Sequence, residues 1–167
     1  MKSWKVGLYF LVAFILQSGL VNIFALWGRT PNLILALVVI FSFLYENRLY
    51  GFVYGAIFGV LFDICFSQAI GVTAIPLVII SLIIMALDGI YNVENIINLT
   101  IVSIGTIVGY SVLNFIMLRI VGNPVPFIRS MNYMPISWIG TFIVVLIIYL
   151  VLIKDVVKYR REDRRLI

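Results

Sequence analysis

The sequence predicts an all-α integral membrane protein, folded as a compact bundle of about six transmembrane helices. Of its 167 residues, 63% are hydrophobic and 11% are charged, and the mean hydropathy is +1.17. A soluble domain averages about 45–50% apolar and about 25% charged residues. Long apolar runs fill most of the chain and are separated by short polar segments, so no stretch is left for a separate soluble module.

The polar interruptions define six predicted spans, at about 6–26, 32–45, 51–66, 72–87, 96–118 and 137–153. Pro31 marks a structural turn after the first span, and we expect Asn32 to help start the second. The charged turn at residues 46–48 separates the second span from the third. Several spans are shorter than the roughly 20 residues that cross 30 Å of hydrocarbon. The alternative is five or fewer crossings, with a re-entrant segment within residues 32–66.

Basic residues predict the orientation of the bundle. Six spans place both termini on one side, together with Lys2, Lys5, Arg48 and the six basic residues of the tail, against Arg29, Arg119 and Arg129 on the other side. Because basic residues concentrate in cytoplasmic loops, both termini are expected in the cytoplasm. We predict a polytopic membrane domain over 1–153 and a basic cytoplasmic tail over 154–167. The tail either anchors on anionic lipid or contacts a cytoplasmic protein.

The third predicted span carries small residues at every fourth position, followed by an acid: Gly51, Gly55, Gly59 and Asp63. Residues four apart follow one ridge of a helix, and glycines there let another helix approach closely. An aspartate inside hydrocarbon costs roughly 2.5–3.5 kcal/mol on insertion scales and therefore needs a protected partner. We predict that this ridge faces protein, either the fifth span of the same chain or a helix of a partner.

Asp63 has three candidate roles. The first is a structural anchor that is hydrogen-bonded to a residue such as Ser18, Asn22 or Asn114. The second is a docking ion pair, and the third is a site for a proton or cation. We favour the anchor. Twelve residues beyond Gly51 correspond to about 18 Å along a helix, which places Asp63 nearer the outer face.

A second pair of glycines, Gly105 and Gly109, lies in the fifth predicted span. It indicates either internal packing against the third span or a groove for the single membrane helix of a partner. Residues 119–136, which contain three prolines, form either an ordinary outer loop or a lid.

The composition argues against most catalytic sites. Histidine is absent and Cys65 is the only cysteine, which excludes histidine triads and multi-cysteine metal clusters. Asp88 is predicted at the surface opposite Asp63, so the two cannot form a facing pair of carboxylates. We therefore predict no catalytic residue, no cofactor, no metal and no nucleic-acid partner. An unrecognised membrane enzyme is the weaker alternative.

The sequence resembles the MreD family of bacterial rod-shape-determining proteins. The resemblance rests on Pro31-Asn32-Leu33, the series from Gly51 to Asp63, and Gly71 after a short polar gap. It implies a non-enzymatic scaffold in the bacterial cytoplasmic (inner) membrane. The implied partner is the bitopic protein MreC, and through it the actin-like MreB filament, a SEDS glycosyltransferase and a penicillin-binding transpeptidase. A homodimer is left open.

The rival interpretation is a substrate-binding subunit of an energy-coupling-factor type vitamin transporter. The resemblance to the MreD family implies a fold similar to that of these subunits. Such subunits typically dock through alanines four apart in their first helix. Ala13 and Ala25 are twelve apart in this chain. We also expect the outer loop to be poor in groups that would hold a vitamin, so the scaffold is favoured.

Overall fold

A computed structural model describes residues 3–20, 30–45, 47–67, 69–87, 95–122, 135 and 137–153. Within these residues the regular structure is entirely helical, which confirms the predicted all-α class. The elements are α1 (Ser3–Ile15, continued by a π-helical segment Leu16–Leu20), α2 (Leu33–Leu44), α3 (Leu49–Phe66), α4 (Ala74–Ala86), α5 (Ile96–Ile120) and α6 (Ser137–Ile153). The end of the first predicted span, Asp88, most of the 119–136 connection and the tail lie outside the described residues.

Two separate helices, α2 and α3, lie within residues 32–66, where a re-entrant segment was the alternative. Helix α2 begins at Asn32, whose side chain accepts a hydrogen bond of 2.9 Å from the backbone N–H of Leu35. This is the capping interaction expected for asparagine at a helix start. Helix α2 ends at Leu44, and α3 begins at Leu49.

Helix α2 forms the centre of the bundle. Every residue from Ile34 to Leu44 is buried, and α2 contacts α1, α3, α4 and α5. A helix that is apolar all round lies either in a protein core or in the hydrocarbon of a membrane, and here the surrounding helices enclose it. With 12 residues it is about 18 Å long, which is too short to cross a bilayer alone.

Two of the described helices, α3 and α5, are long and apolar enough to cross a membrane, whereas α2, α4 and α6 are shorter apolar helices. The surrounding helices expose large apolar side chains outward, for example Ile57 on α3, Ile104 on α5 and Ile147 on α6. An apolar exterior of this kind suits contact with lipid.

Hydrogen bonds between distant residues fix the directions of the helices. At one end of the bundle, the Tyr54 hydroxyl near the start of α3 donates to the carbonyl of Ser3 at the start of α1, over 2.9 Å. At the opposite end, the backbone N–H of Ile34 at the start of α2 donates to Oε1 of Gln17, which follows α1, over 3.1 Å. The first three helices therefore alternate in direction.

The remaining helices continue this alternation. The Asn114 side chain, late in α5, donates to the carbonyl of Val72, just before α4, over 3.0 Å. The backbone N–H of Asn32 donates to Oγ1 of Thr141, early in α6, over 2.9 Å. These contacts and Asp63 lie at the same end of the bundle, which we call the Asp63 end.

Candidate functional site

The Asp63 carboxylate is buried and accepts hydrogen bonds from four residues. The side chain is 1% exposed. Its oxygens accept from the Ser67 hydroxyl at 2.8 Å and from the backbone N–H groups of Gly71 at 2.8 Å, Thr73 at 2.9 and 3.0 Å, and Ala74 at 3.1 Å. The last three donors belong to the turn that leads into α4 and to the first residue of that helix.

Asp63 therefore caps a helix other than its own. The first N–H groups of a helix lack partners within it and carry partial positive charge, so a carboxylate placed there is stabilised. The usual capping position before α4 is Thr73, whose side chain makes no capping hydrogen bond. The carboxylate from α3 supplies the missing acceptor.

Two of the three expected hydrogen-bond partners of Asp63, Ser18 and Asn114, were wrong. Ser18 donates to the carbonyl of Ile15, and Asn114 donates to Val72. Asn22 lies outside the described residues. The partners are backbone N–H groups 8 to 11 residues further along the chain, together with Ser67 in the last turn.

Gly71 is required by the shape of this connection. Its φ of +103° lies in the left-handed region, where a side chain is strained, and its N–H points at Asp63. A Cβ at this position would also lie 3.0 Å from Cδ1 of Ile75.

The three glycines of α3 pack against α2 and α4. A Cβ added at Gly51 would collide with Ser42 of α2, and one at Gly55 would lie 2.7 Å from Cγ2 of Val38. At Gly59 it would lie 2.8 Å from Cα of Ala74 in α4. Within the described chain, the ridge from Gly51 to Asp63 thus contacts the helices before and after α3, and not the fifth span.

The expected packing of Gly105 and Gly109 against the third span was also wrong. The backbones of α3 and α5 are not adjacent in the described residues, and α5 packs on α4. A Cβ at Gly109 would lie 3.3 Å from Cδ1 of Ile80, whereas no described atom lies within 4 Å of the corresponding position at Gly105.

Beside Gly105 lies an apolar groove of about 550 Å³, which we call the α4–α5 groove. Helix α4 contributes Ile79 and Ile83, and α5 contributes residues from Ile101 to Leu113. This stretch of α5 covers about 18 Å along the helix axis, or three turns. The groove can accept an extended apolar object such as another helix.

A cavity of about 400 Å³ with a different lining lies at the Asp63 end, and we call it the polar cavity. Its walls come from the end of α1, the start of α2, the second half of α5 and the start of α6, and its polar residues include Gln17, Asn32, Tyr110, Ser111, Asn114 and Trp138. A smaller cavity of about 320 Å³ shares Tyr110, Asn114 and Leu118 with it and is also lined by Ser67 and Thr73. Tyr110 interacts with the side chains of Asn32 and Thr73, which connects the polar cavity to the turn that Asp63 holds.

Pro31 lies at the rim of the polar cavity. The neighbouring carbonyl of Thr30 accepts a hydrogen bond of 2.8 Å from the Ser137 hydroxyl. A Cβ added at Gly140 would lie 3.3 Å from Cβ of Pro31. The turn that precedes α2 is thus packed against the start of α6.

Comparison with known families identifies the chain. The family model described as rod shape-determining protein MreD matches residues 1–156. The chain belongs to the MreD family. Membership confirms the resemblance and establishes a membrane protein with a role in determining rod shape. No curated protein and no solved structure gives a significant match.

Several residues that line the polar cavity of this MreD-family chain were missed by the sequence analysis. Gln17, Ser111, Trp138 and Thr141 are single polar or amphipathic residues in apolar spans, and each is ordinary in isolation. Their shared position along the length of the bundle is the signal that could have revealed them. In a bundle of alternating helices, the end of one span and the start of the next meet at the same end, so their polar residues converge.

Proposed function

We propose that this chain is a non-enzymatic scaffold subunit of the bacterial cell-elongation machinery, which binds the membrane helix of MreC. Through MreC it would couple the MreB cytoskeleton to peptidoglycan synthesis by a SEDS glycosyltransferase and a penicillin-binding transpeptidase. Membership of a family that determines rod shape supports this role. The proposal includes a multi-pass topology with both termini in the cytoplasm.

The observation that carries the docking part of this proposal is the open side of Gly105. Glycine weakens a helix relative to alanine, and in membrane helices it is favoured where another helix packs closely. The glycines of α3 are already covered by α2 and α4, whereas no described atom covers Gly105, which lines the apolar groove. We assign the membrane helix of MreC to the α4–α5 groove.

The shape of the groove supports a helical occupant. Its walls run along about three turns of α5 and are apolar, as expected for contact between membrane helices. Gly105 lies about one turn from the start of this stretch, and a helix crossing there would approach the α5 backbone. We assign a structural role within the fold to the ridge from Gly51 to Asp63 and to Gly71.

The test is co-purification with tagged MreC from the same organism. A Cβ at Gly105 has no described atom within 4 Å, and a leucine there would extend into the groove, so we expect Gly105→Leu to lose MreC binding while its thermal stability is kept. Gly19→Leu is the matched control, because Gly19 also has no described atom within 4 Å of its Cβ position but lies away from the groove. That variant should bind MreC normally.

The outcomes separate the assigned groove from the scaffold function. If a stable Gly105→Leu protein still captures MreC, the groove is not the docking site. If the wild-type protein itself fails to capture MreC, the scaffold proposal fails. Loss of self-association in place of MreC binding would assign the groove to a homodimer.

A further inference from the structure

We propose that the polar cavity is a binding site for an uncharged, hydroxyl-rich ring, that is, a glycosyl group. The ligand is either a free neutral saccharide or the neutral sugar headgroup of a lipid. This site is separate from the α4–α5 groove, and the inference does not depend on MreC binding.

The size and position of the cavity suit a small ligand. A volume of about 400 Å³ falls within the roughly 300–1,000 Å³ of typical small-molecule sites. Four separate segments of the chain form its walls, and hydrogen bonds fix them to one another. Trp138 of α6 donates to Oγ of Ser111 of α5 over 2.8 Å, and Thr141 of α6 accepts from the backbone of Asn32. The polar groups that line the cavity are thus held in place by hydrogen bonds between helices.

Uncommitted hydrogen-bonding capacity remains in the lining. Gln17 is 9% exposed, and its Oε1 is occupied by the N–H of Ile34, which leaves its Nε2 donors without a partner in the described part of the chain. Asn114 donates from Nδ2 to the carbonyl of Val72, and its Oδ1 has no partner among the described residues. A ligand that both donates and accepts hydrogen bonds would therefore find a complementary group on each of these two side chains.

The charge of the lining selects a neutral ligand. The described residues that line the cavity include no Lys, Arg, Asp or Glu. A charged ligand would lose its hydration without gaining a counter-ion, which is strongly unfavourable within a membrane domain. The buried Asp63 carboxylate nearby further disfavours an anion.

The apolar part of the lining selects a ring. Trp138 and Phe115 offer aromatic surfaces, and Leu35, Ile107 and Leu118 supply aliphatic contacts. Aromatic faces contact C–H groups favourably, while amides and hydroxyls bind polar edges. A pyranose combines an apolar C–H face with a rim of hydroxyls that donate and accept, which matches this lining better than a purely polar or purely apolar ligand.

The test uses the full chain in phosphatidylcholine nanodiscs and three probes with the same ring. Methyl β-glucoside is neutral, glucosamine is cationic and glucuronate is anionic. We expect saturation-transfer NMR to detect methyl glucoside at millimolar concentration and both charged probes to bind at least about tenfold more weakly. A second arm compares retention of monoglucosyl diacylglycerol and phosphatidylglycerol by native mass spectrometry. Preferential retention of the glucosyl lipid assigns a lipid headgroup, and binding of the free glucoside alone assigns a soluble saccharide.

Two variants localise the binding. Gln17→Met keeps the size of the side chain but removes the amide donors, together with the Oε1 acceptor of the Ile34 N–H, and should weaken binding at least about tenfold. Leu118→Trp fills the cavity without removing any described side-chain hydrogen bond, and should abolish binding with stability unchanged. Thr100→Ala is the control, because its hydroxyl bonds Ile96 at the other end of α5.

Three results would overturn the proposal. One is that neither neutral probe binds, and another is that the charged probes bind as well as methyl glucoside. The third is wild-type binding by a folded Leu118→Trp protein. Should Gln17→Met fail to fold, Leu118→Trp alone decides.

Discussion

Asp63 shows how a single buried charge becomes tolerable in an apolar bundle. A carboxylate removed from water is costly unless hydrogen bonds replace its hydration. Here Ser67 and three backbone N–H groups donate to it, and the start of α4 adds its partial positive charge. Removing the carboxylate would strand donors that nothing else on the described chain satisfies. Both carboxylate oxygens accept hydrogen bonds within the fold, which favours the structural anchor among the roles considered for Asp63.

We expect Asp63→Asn to destabilise the protein by about 2–3 kcal/mol. The amide retains one acceptor oxygen but turns an NH₂ group toward the backbone donors of the α4 turn. Thermal denaturation in detergent, followed by near-UV circular dichroism, measures the loss. Asn95→Ala is the control, since it removes an exposed cap of α5 and should cost about 1 kcal/mol.

Equal losses for these two variants would contradict the capping role of Asp63. Unchanged stability of Asp63→Asn combined with lost MreC binding would favour the docking ion pair over the anchor.

At the scale of elements, α3 is shaped by its two neighbours. Its glycine ridge lets α2 approach on one half and α4 on the other, with Asp63 fixing the start of α4 at the far end. Helix α2 is enclosed because these contacts are close. Helix α5 differs, since no described atom lies within 4 Å of a Cβ placed at Gly105.

Alanine substitutions should therefore rank by what the new methyl group meets. Gly51→Ala and Gly59→Ala approach backbone atoms of Ser42 and Ala74, which cannot move independently, so each should cost about 1–3 kcal/mol. Gly55→Ala meets only the Val38 side chain and should cost less. Gly105→Ala should be neutral or stabilising by up to about 1 kcal/mol. Chemical denaturation of the four variants checks this order, which a destabilised Gly105→Ala would refute.

The positions of the helices could be read from the sequence, whereas their neighbours could not. Polar interruptions such as Asn32 mark helix ends through local chemistry, and this information is present in a short window. The choice between α2, α4 and α5 as neighbours of Gly55 depends on how all helices pack, which periodicity does not encode. The capping by Asp63 was missed because it depends on the left-handed turn at Gly71.

The whole molecule is a bundle of alternating helices whose two ends differ in chemistry. The Asp63 end collects the buried carboxylate, the polar cavity and the start of α6. Described residues at the opposite end include the basic Lys5 and Arg48. Lys5 and Arg48, which are both predicted on the cytoplasmic side, thus lie at the end opposite Asp63.

Reporter fusions test the orientation of the bundle. A fluorescent protein that folds only in the cytoplasm should be active at the C-terminus, and alkaline phosphatase inserted after Ala69, in the turn between α3 and α4, should be active outside. The reciprocal fusions should be inactive. A periplasmic signal from the C-terminus would reverse the proposed topology and place the polar cavity near the cytoplasm.

The bond between Asp63 and the start of α4 also bears on how the chain enters the membrane. When α3 leaves the insertion machinery alone, its carboxylate faces hydrocarbon at a cost of roughly 2.5–3.5 kcal/mol. Three of its four donor residues, Gly71, Thr73 and Ala74, become available only when residues 71–74 have been synthesised. Helices α3 and α4 should therefore enter the membrane together as one hairpin. Entry of α3 should wait until Ala74, the eleventh residue after Asp63, has been synthesised.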